Sequence, residues 1–508
     1  MSVLNRDRAA AALRTETPQE EDRPPEGAVG RVLKNSILLS IQPFVLQLLS
    51  LFAMAFIARK LGSEDFGRFN LALSFVAMAS VITNPGLRSV TLRRIAQERE
   101  EPKVLVGQML VLRTGLACAA ILVLAVSLPF LGTSAATKYA TAILATTIVL
   151  AAANTVFIDC FQGLERMGPV LRANFAGGIV LTIASIVALA LGGRLYALSL
   201  AYVVGPLVTF ALLAHAAVRA GISPSFRFQW SAFRDLLREG RSFFGLGALY
   251  LVMQRLDMVI LARFLGDGGV GAYAAATQLV SRVGVFTDGV TSAVAPAAYR
   301  LNVRSDAASK ALLRRAMTWL LTLTLVFALG GTLLGDVVVR VIYGEGFEDA
   351  GRILAVLGWT LPLFAVAGIL HQTLFVKNRQ SDVLRMEIRV QCAALVLLLV
   401  GSAIGLGVGS AFAKVAGVAL SAVAVLVAYG NELRATVPMQ AMGRLCLFAC
   451  VLAAGYFALR WTGGHLALLS LGVVVHTLAS LYLAGKLDLI PLSIPKQLDE
   501  AAADQGRA

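Results

Sequence analysis

The sequence has little charge for its length. Only 15% of its 508 residues are Asp, Glu, Lys or Arg, whereas a soluble protein carries about a quarter. It also has only four histidines and five cysteines, and it contains neither a CxxC pair nor an HExxH motif. A glycine-rich nucleotide-binding loop with its lysine is missing as well. These absences argue against a soluble enzyme, a zinc site and a nucleotide-driven machine.

What the sequence has in abundance is apolar residues. They make up 57% of the chain, with a mean hydropathy of +0.76. They cluster into runs of about twenty, the length that a helix needs to cross a hydrocarbon layer of roughly 30 Å. The runs predict about fourteen transmembrane helices, at 36–58, 69–91, 107–131, 138–159, 168–192, 195–218, 242–264, 269–296, 312–334, 351–376, 384–405, 409–429, 441–460 and 464–485.

The net charge of +15 reflects membrane orientation. If the N-terminus is cytosolic, Lys and Arg favour the cytosolic loops over the outer loops by about three to one. The positive-inside rule then predicts a multi-pass membrane protein with both termini in the cytosol. A nucleic-acid partner is not expected.

A repeat divides the chain. The segment Ala58–Phe69 returns 204 positions later as Ala262–Tyr273, with the glycines Gly62 and Gly67 matched by Gly266 and Gly271. A second echo, Val170–Arg172 with Val383–Arg385, follows two polar turns at an offset of 213. Six helices per copy place both copies in the same orientation, so the sequence predicts two parallel-repeat lobes around a central path.

This repeat sets the predicted domain organisation. The fold class is an all-α polytopic membrane protein with two six-helix lobes and two extra helices. The expected parts are a disordered cytosolic tail (1–33), the N-terminal lobe (34–218), a basic cytosolic linker (219–241), the C-terminal lobe (242–430), helices thirteen and fourteen (431–486) and a cytosolic tail (487–508). Within the linker, Trp230–Glu239 is expected to form an amphipathic surface helix.

Charged residues within the predicted helices mark the candidate site, because a charge at the bilayer centre costs roughly 2.5–3.5 kcal/mol. The candidate substrate-binding residues are Arg88, Arg113, Arg255, Arg282, Lys414, Gln47, Asn84 and Gln254, and the candidates for coupling to an ion are Asp257, Asp288 and Glu387. No catalytic and no metal-binding residue is predicted. Two simpler interpretations stay open: Arg172, Arg385 and Arg444 reach the headgroups from helix ends, and the stripes of small and hydroxyl residues beside the charges serve helix packing.

The net charge expected in the central path between the lobes favours an anionic ligand. Nine basic residues lie within the helices, and only four acidic residues accompany them. If the cations are unpaired, they bind phosphate strongly in a low dielectric.

Several motifs resemble a known family, the polysaccharide and oligosaccharide flippases (Wzx-like, polysaccharide transporter family) of the multidrug/oligosaccharidyl-lipid/polysaccharide exporter (MOP) superfamily. The motifs are the ARxLGxxxFGRF turn at 58–69, Arg255-Leu-Asp257, Val270-Gly-Ala-Tyr273, Pro296 with Arg300, and the turn 341–347. The resemblance implies a two-lobe, MATE-like bundle that opens alternately to either side, is not an enzyme, and has no cofactor apart from possible H⁺ or Na⁺ coupling.

The resemblance also implies a location, the bacterial cytoplasmic (inner) membrane, and a cargo. The cargo would be a polyprenyl-pyrophosphate-linked oligosaccharide destined for O-antigen, capsule or exopolysaccharide, with a polymerase and a chain-length regulator as possible partners. Three alternatives stay open: a lipid II flippase of peptidoglycan synthesis, a cation-coupled multidrug exporter, and a membrane glycosyltransferase or polymerase.

Overall fold

The computed structural model describes residues 28–97, 101–225 and 230–438, which form helices, two short 3-10 turns and connecting loops with no strand. The helices are α1 (Ala28–Ser80), α2 (Leu87–Ala96), α3 (Pro102–Ser127), α4 (Ala135–Gly163), α5 (Met167–Ala190), α6 (Leu195–Arg219), α7 (Trp230–Gly269), α8 (Gly271–Arg304), α9 (Asp306–Tyr343), α10 (Glu348–Leu357), α11 (Thr360–Val376) and α12 (Gln380–Leu433). The predicted tail at 1–27, the predicted helices thirteen and fourteen with Arg444, and the C-terminal tail lie outside the described residues.

The chain divides into two units, residues 1–50 and 51–508. In the first unit, the described part is the beginning of α1, where the Ser50 hydroxyl donates to the carbonyl of Gln47 at 2.8 Å.

Among the described residues, eight helical segments are long and apolar enough to cross a membrane. They are Leu49–Thr83, Pro102–Leu131, Ala135–Gly163, Met167–Ala190, Leu195–Arg219, Asp306–Tyr343, Glu348–Val376 and Gln380–Leu433. The last of these has 54 residues, and its backbone is non-helical at Leu406. This break lies between the two crossings predicted at 384–405 and 409–429. The prediction of an all-α polytopic membrane protein is confirmed, while the count of fourteen helices stays a prediction.

The two copies of the repeat have the same backbone geometry. Gly62 interrupts α1 with φ 75° and ψ 169°, and Gly266 interrupts α7 with φ 73° and ψ 166°. These left-handed values suit glycine, since other residues are strained there. Glu165 and Asn378, which are related by the offset of the second echo, have φ values of 58° and 59°. Each of these two pairs of related positions has the same unusual positive φ, so the sequence repeat is also a repeat of the backbone structure.

The repeated turns pack against each other at one end of the bundle. We call this end, which holds the turns at Gly62, Gly132, Gly266 and Gly344, the turn end. A Cβ on Gly67 would lie 2.6 Å from the carbonyl oxygen of Gly268, and one on Gly271 would lie 1.9 Å from that of Ser63. Arg59 also donates from Nε to the carbonyl of Ile342 at 3.0 Å, and from Nη2 to that of Val341. The first lobe is therefore joined to the second at the turn end.

The opposite end, which holds α2, the beginning of α3 and the beginning of α7, is called the basic end. The buried cluster at the turn end contains residues of both lobes, including Phe66 and Phe69 with Tyr273 and Phe347. At the basic end each lobe has a separate buried cluster, one around Leu105 and Phe157 and one around Leu313 and Leu370. The lobes therefore share one buried core at the turn end and have separate cores at the basic end.

The predicted amphipathic segment 230–239 is helical, but it is the first part of α7 and not a separate surface helix. Its apolar residues Phe233 and Leu236 are buried in the first lobe's cluster at the basic end. Glu239 is held by Arg93 and Arg94 of α2, with Arg94 Nη2 2.7 Å from Oε2. The linker is therefore anchored to the first lobe by both apolar contacts and ion pairs.

Two of the predicted helices are interrupted. The helix predicted at 69–91 is broken at Gly86, which has a φ of 75°, and a new helix starts at Leu87. The helix predicted at 351–376 is interrupted where α10 ends at Leu357 and α11 begins at Thr360, and the two together form one candidate membrane span, Glu348–Val376. Trp359 stabilises this break, since its Nε1 donates to Thr332 Oγ1 of α9 at 3.1 Å.

Candidate functional site

In the first lobe, a buried carboxylate holds two of the predicted arginines. Asp159 of α4 accepts from Arg113 Nη2 of α3 at 2.7 Å. The Arg113 side chain is fully buried and that of Asp159 is 2% exposed. Arg88 of α2 approaches the same carboxylate, with 3.6 Å between its Nε and Asp159 Oδ1. We call Arg88, Arg113, Asp159 and their neighbour Gln162 the Asp159 cluster.

Arg88 is the accessible member of this cluster, with a side chain that is 58% exposed. Its position follows from the break at Gly86, because α2 starts at the next residue, Leu87, and Arg88 lies in its first turn. Asn84 Oδ1 accepts from the Arg88 backbone N–H at 3.1 Å. Gln162 Oε1 accepts from Arg88 Nη2 at 3.0 Å. The guanidinium is therefore held at two points, by Asp159 and Gln162, and is still exposed. Two cations share one carboxylate, which leaves the cluster with a net charge of about +1.

In the second lobe, a second buried carboxylate is fully compensated. Lys414 of α12 donates through Nζ to Asp257 Oδ2 of α7, and the Tyr273 hydroxyl of α8 donates to the same oxygen at 2.8 Å. Asp257 is 3% exposed. The expectation that the intramembrane cations are unpaired is thus wrong for Lys414 and for Arg113. Carboxylates on other helices neutralise them, and sequence spacing does not show such contacts.

A cavity of about 610 Å³, counting its open part, adjoins this ion pair. Its walls come from α7, α11 and α12 and are mostly apolar, with Phe364, Leu395 and Leu398 among them. Polar groups also line it: the predicted Gln254, Asp257 and Lys414, and in addition Gln391. An apolar cavity with a few converging polar groups is typical of a ligand site.

The other predicted basic residues lie on α7 and α8. Arg255 is half-buried, and no described residue forms an ion pair with it. Arg282 is half-buried and lies close to Tyr202 of the first lobe and Tyr343 of the second, which places it at the junction of the lobes. Arg255 and Arg282, like Arg88, are predicted basic residues outside the two buried pairs that contain Arg113 and Lys414.

The predicted acidic residues differ in their surroundings. Asp288 of α8 is exposed, whereas Glu387 of α12 is buried. Glu387 contacts Ser421, Gln391 and His371. Gln47 is half-buried in the first unit.

The sequence missed several polar groups of these clusters. His371 lies on a different helix from Glu387, and no spacing rule connects them. Gln391 could have been found from the sequence, since it follows Glu387 by four positions and therefore lies on the same face of the helix. Gln162, three positions after Asp159, was detectable for the same reason.

Comparisons with known proteins place these clusters in a family. The sequence profile of the family described as "Polysaccharide biosynthesis protein" matches residues 32–302, slightly more than half of the chain. The chain belongs to the polysaccharide biosynthesis protein family. This confirms the resemblance that the turn at 58–69 and the motifs of α7 and α8 suggested. A comparison with curated proteins by sequence gives no match.

Solved structures share the fold of this family member at low identity. The lipid II flippase MurJ in an inward closed conformation aligns with a TM-score of 0.70 at 15% identity, covering 89% of this chain and 99% of its own. An inward-facing multidrug resistance MATE family transporter of the MOP superfamily aligns at 0.60 and 15%, covering 77% and 95%. A MOP superfamily transporter from Pyrococcus furiosus aligns at 0.54 and 15%, covering 79% and 94%. The chain is thus a multi-pass membrane protein with the fold of MOP transporters.

Proposed function

We propose that the protein is a flippase that carries a polyprenyl-pyrophosphate-linked oligosaccharide across the bacterial cytoplasmic membrane by alternating access. The product would serve surface polysaccharide assembly, as O-antigen, capsule or exopolysaccharide. The observation that carries this proposal is the exposed Arg88 of the Asp159 cluster, in a chain of the polysaccharide biosynthesis family. No covalent change is needed, and no catalytic residue is proposed.

The chemistry of the Asp159 cluster suits a pyrophosphate. A guanidinium donates two parallel hydrogen bonds to phosphate oxygens, and its charge does not depend on pH. Arg88 is held in place by Asp159 and Gln162, so little side-chain entropy is lost on binding. Arg255 and Arg282 supply further positive charge on the second lobe's side. The sugars would contact the amide groups that line the cavity beside Asp257.

The separate buried cores of the two lobes at the basic end support a route for this cargo. By the positive-inside rule the basic end faces the cytosol, where a lipid-linked oligosaccharide would be made. A headgroup could then enter between the lobes while its polyprenyl chain stays in the bilayer. N- and C-termini in the cytosol, and a polymerase and chain-length regulator as partners, are parts of the same proposal.

A lipid II flippase is the second candidate function. The likeness to MurJ favours it, because that alignment covers 89% of this chain. The polyprenyl pyrophosphate is shared by both substrates, so Arg88 would have the same role. The likeness to a multidrug transporter leaves drug export as a third candidate, but a net positive Asp159 cluster repels the cationic drugs such a site would bind.

Deletion and complementation separate these candidates. Deleting the gene should remove surface polysaccharide while cell-wall synthesis and drug susceptibility stay normal. Arrested peptidoglycan synthesis with normal surface polysaccharide would point to lipid II, and increased drug sensitivity alone would point to export.

Arg88 variants test the proposed contact. Arg88→Ala should weaken substrate binding by about 10- to 150-fold, since a hydrogen bond to a charged group contributes about 1.5–3 kcal/mol. Arg88→Lys should restore it in part. Arg172→Ala is the control, because Arg172 is a basic residue whose Nε bonds only the carbonyl of Gly168 at 3.4 Å. Equal polysaccharide export by the Arg88→Ala and Arg172→Ala proteins would refute the assignment.

A further inference from the structure

A basic and partly apolar surface lies at the end of α8 in the second lobe. Arg300 and Arg304 are one helical turn apart and exposed, and neither forms an ion pair with a described residue. Tyr299 and Val303 lie beside them and are 40% and 88% exposed. We call Tyr299, Arg300, Val303 and Arg304 the hairpin surface, because the chain turns from α8 into α9 directly after it.

Acidic residues of the neighbouring segments are already paired. Asp306 Oδ2 lies 2.7 Å from Lys310 Nζ, and Glu432 Oε1 lies 3.0 Å from Arg379 Nη1. The arginines of the hairpin surface are therefore left without a carboxylate in the part of the chain that the structure describes. Exposed apolar side chains with polar residues around them are typical of a docking site.

In the first lobe, the equivalent surface is covered. The two repeat offsets, 204 and 213, place the equivalents of Arg93 and Arg94 between positions 297 and 307, a range that contains both arginines of the hairpin surface. Glu239 of α7 pairs with Arg93 and Arg94. The same helical segment buries Phe233 in the first lobe's cluster. In one copy of the repeat, an amphipathic helix with a glutamate thus covers the basic end.

The second lobe follows the first as far as the described chain extends. After α6, Ile222 is buried in the first lobe's cluster, and after α12, Val437 packs against the second lobe's cluster. The first lobe then continues into the covering helix, which starts at Trp230. The second lobe's described chain ends at Pro438. Any segment that covers the hairpin surface therefore comes from outside the described residues.

We propose that the C-terminal segment 494–504 binds the hairpin surface as an amphipathic helix. Its apolar and acidic residues have the spacing of the covering helix in the first lobe, with Ile494, Leu498 and Glu500 corresponding to Phe233, Leu237 and Glu239. Asp499 and Asp504 add to its charge, which is −2 from three acids and one lysine. Pro495 suits the first turn of a helix. Glu500 would pair with the arginines of the hairpin surface as Glu239 pairs with those of the first lobe.

The segment has the reach and the location that this contact needs. The last predicted crossing ends at 485, so eight residues precede Ile494. Extended, they span up to about 30 Å. Both termini are expected in the cytosol, on the side where the positive-inside rule places the basic end.

Two other occupants fit the surface less well. In the N-terminal tail, the acidic run 20–22 lies between Pro18 and Pro24 with no apolar residue beside it, and prolines interrupt a helix. A lipid headgroup could pair with the arginines. However, Val303 lies seven positions beyond the crossing predicted at 269–296, about 10 Å along the helix. Its apolar side chain is therefore on the cytosolic side of the bilayer, where a protein segment covers it and a lipid tail does not.

A distance measurement in the full-length protein tests the contact. With the native cysteines replaced, spin labels would be placed at Ala307, an exposed residue next to the hairpin surface, and at Gln505, directly after the segment. The protein in nanodiscs would be measured at about 0.1 M and about 1 M salt, where the Debye length falls from about 10 Å to about 3 Å. We expect a narrow, short distance at low salt and a broad distribution at high salt.

Variants identify the charges responsible. Arg300→Gln with Arg304→Gln should lower the ratio of docked to free segments by about two- to thirtyfold, since each exposed ion pair contributes a factor of about 1.4 to 5. Arg314→Gln with Arg315→Gln is the matched control, because both residues are exposed arginines of α9 outside the hairpin surface. Glu500→Arg should release the segment, and adding Arg300→Glu and Arg304→Glu should restore the short distance. A wild-type distribution that is broad at low salt would overturn the proposal, and so would an equal loss in the control.

Other occupants of the surface give different results, each of which would reject the C-terminal segment. The mobility of the Ala307 label would then be unchanged by deletion of 491–508. It would respond to anionic phospholipid if the surface binds headgroups, to deletion of 1–27 if it binds the N-terminal tail, and to dilution if it binds a second copy of the chain.

The contact does not depend on the proposed function. A docked C-terminal segment together with normal surface polysaccharide in a deletion strain would keep the contact and reject the flippase. Loss of polysaccharide on deletion, with a free C-terminal segment in the purified protein, would do the reverse.

Discussion

The contact between the repeated turns predicts the effect of one added methyl group. At Gly271, a Cβ would lie 1.9 Å from the carbonyl oxygen of Ser63, and 2.7 Å from its carbonyl carbon. Real Cβ atoms essentially never approach closer than 3.0 Å, and the obstacle here is backbone. Gly271→Ala therefore requires the two turns to move apart by about 1 Å.

The size of the effect follows from the cost of overpacking, which is typically about 1–3 kcal/mol. That cost applies only while the turns touch, so it shifts the balance from the closed to the open arrangement of the turn end by about 5- to 150-fold. Gly284→Ala in the same helix is the matched control, because nothing lies within 4 Å of its added Cβ. It should be neutral, or stabilise the helix by up to about 1 kcal/mol.

Phe130 and Val341 are exposed residues at the turn end of the first and second lobe. Spin labels at these two positions would report the result as a larger population of long distances in Gly271→Ala. Gly67→Ala should act in the same direction, since its Cβ would meet the carbonyl of Gly268 at 2.6 Å. Identical distance distributions for Gly271→Ala and Gly284→Ala would show that the turn contact does not hold the lobes together.

Two further predictions concern the buried ion pairs. Asp159→Asn should destabilise the protein by about 3–5 kcal/mol, because it leaves Arg113 buried without its carboxylate; unfolding in detergent measures this, and wild-type stability would contradict the assigned pair. Lys414→Met should destabilise in the same way by isolating Asp257, and adding Asp257→Asn should recover most of the loss. A double variant less stable than Lys414→Met alone would show that the two side chains do not compensate each other.

These ion pairs change how alanine variants are interpreted. From the sequence, loss of export after replacing Arg113 or Lys414 would indicate lost substrate contacts. In the structure, both residues neutralise buried carboxylates, so the same loss would follow from misfolding. Arg88, Arg255 and Arg282 are the positions at which a loss of export reports more directly on the cargo.

The parts of the fold that could be predicted from the sequence are those set by local rules. Apolar runs predicted the helices, and the repeat of the segment that holds Gly62 at Gly266 predicted two equivalent lobes. The second echo was also visible in the sequence, and its related turn residues Glu165 and Asn378 take the same unusual backbone conformation in the structure.

The parts that could not be predicted depend on contacts between distant segments. Arg113 and Asp159 are 46 positions apart, and Asp257 and Lys414 are 157 apart. Hydropathy identifies each residue as costly in a membrane but does not identify its partner. The break before Thr360 was missed because the apolar run is continuous there, and the bond from Trp359 to Thr332 that stabilises it joins two helices.

The leaflet in which the lipid-linked oligosaccharide accumulates tests the central claim most directly. Right-side-out membrane vesicles from cells that carry wild-type, Arg88→Ala or Arg172→Ala protein would be probed with an impermeant sugar-binding lectin or glycosidase. The wild-type and Arg172→Ala vesicles should expose the oligosaccharide, and the Arg88→Ala vesicles should retain it on the inner leaflet. Full exposure in Arg88→Ala vesicles, or in vesicles that lack the protein, would contradict the account.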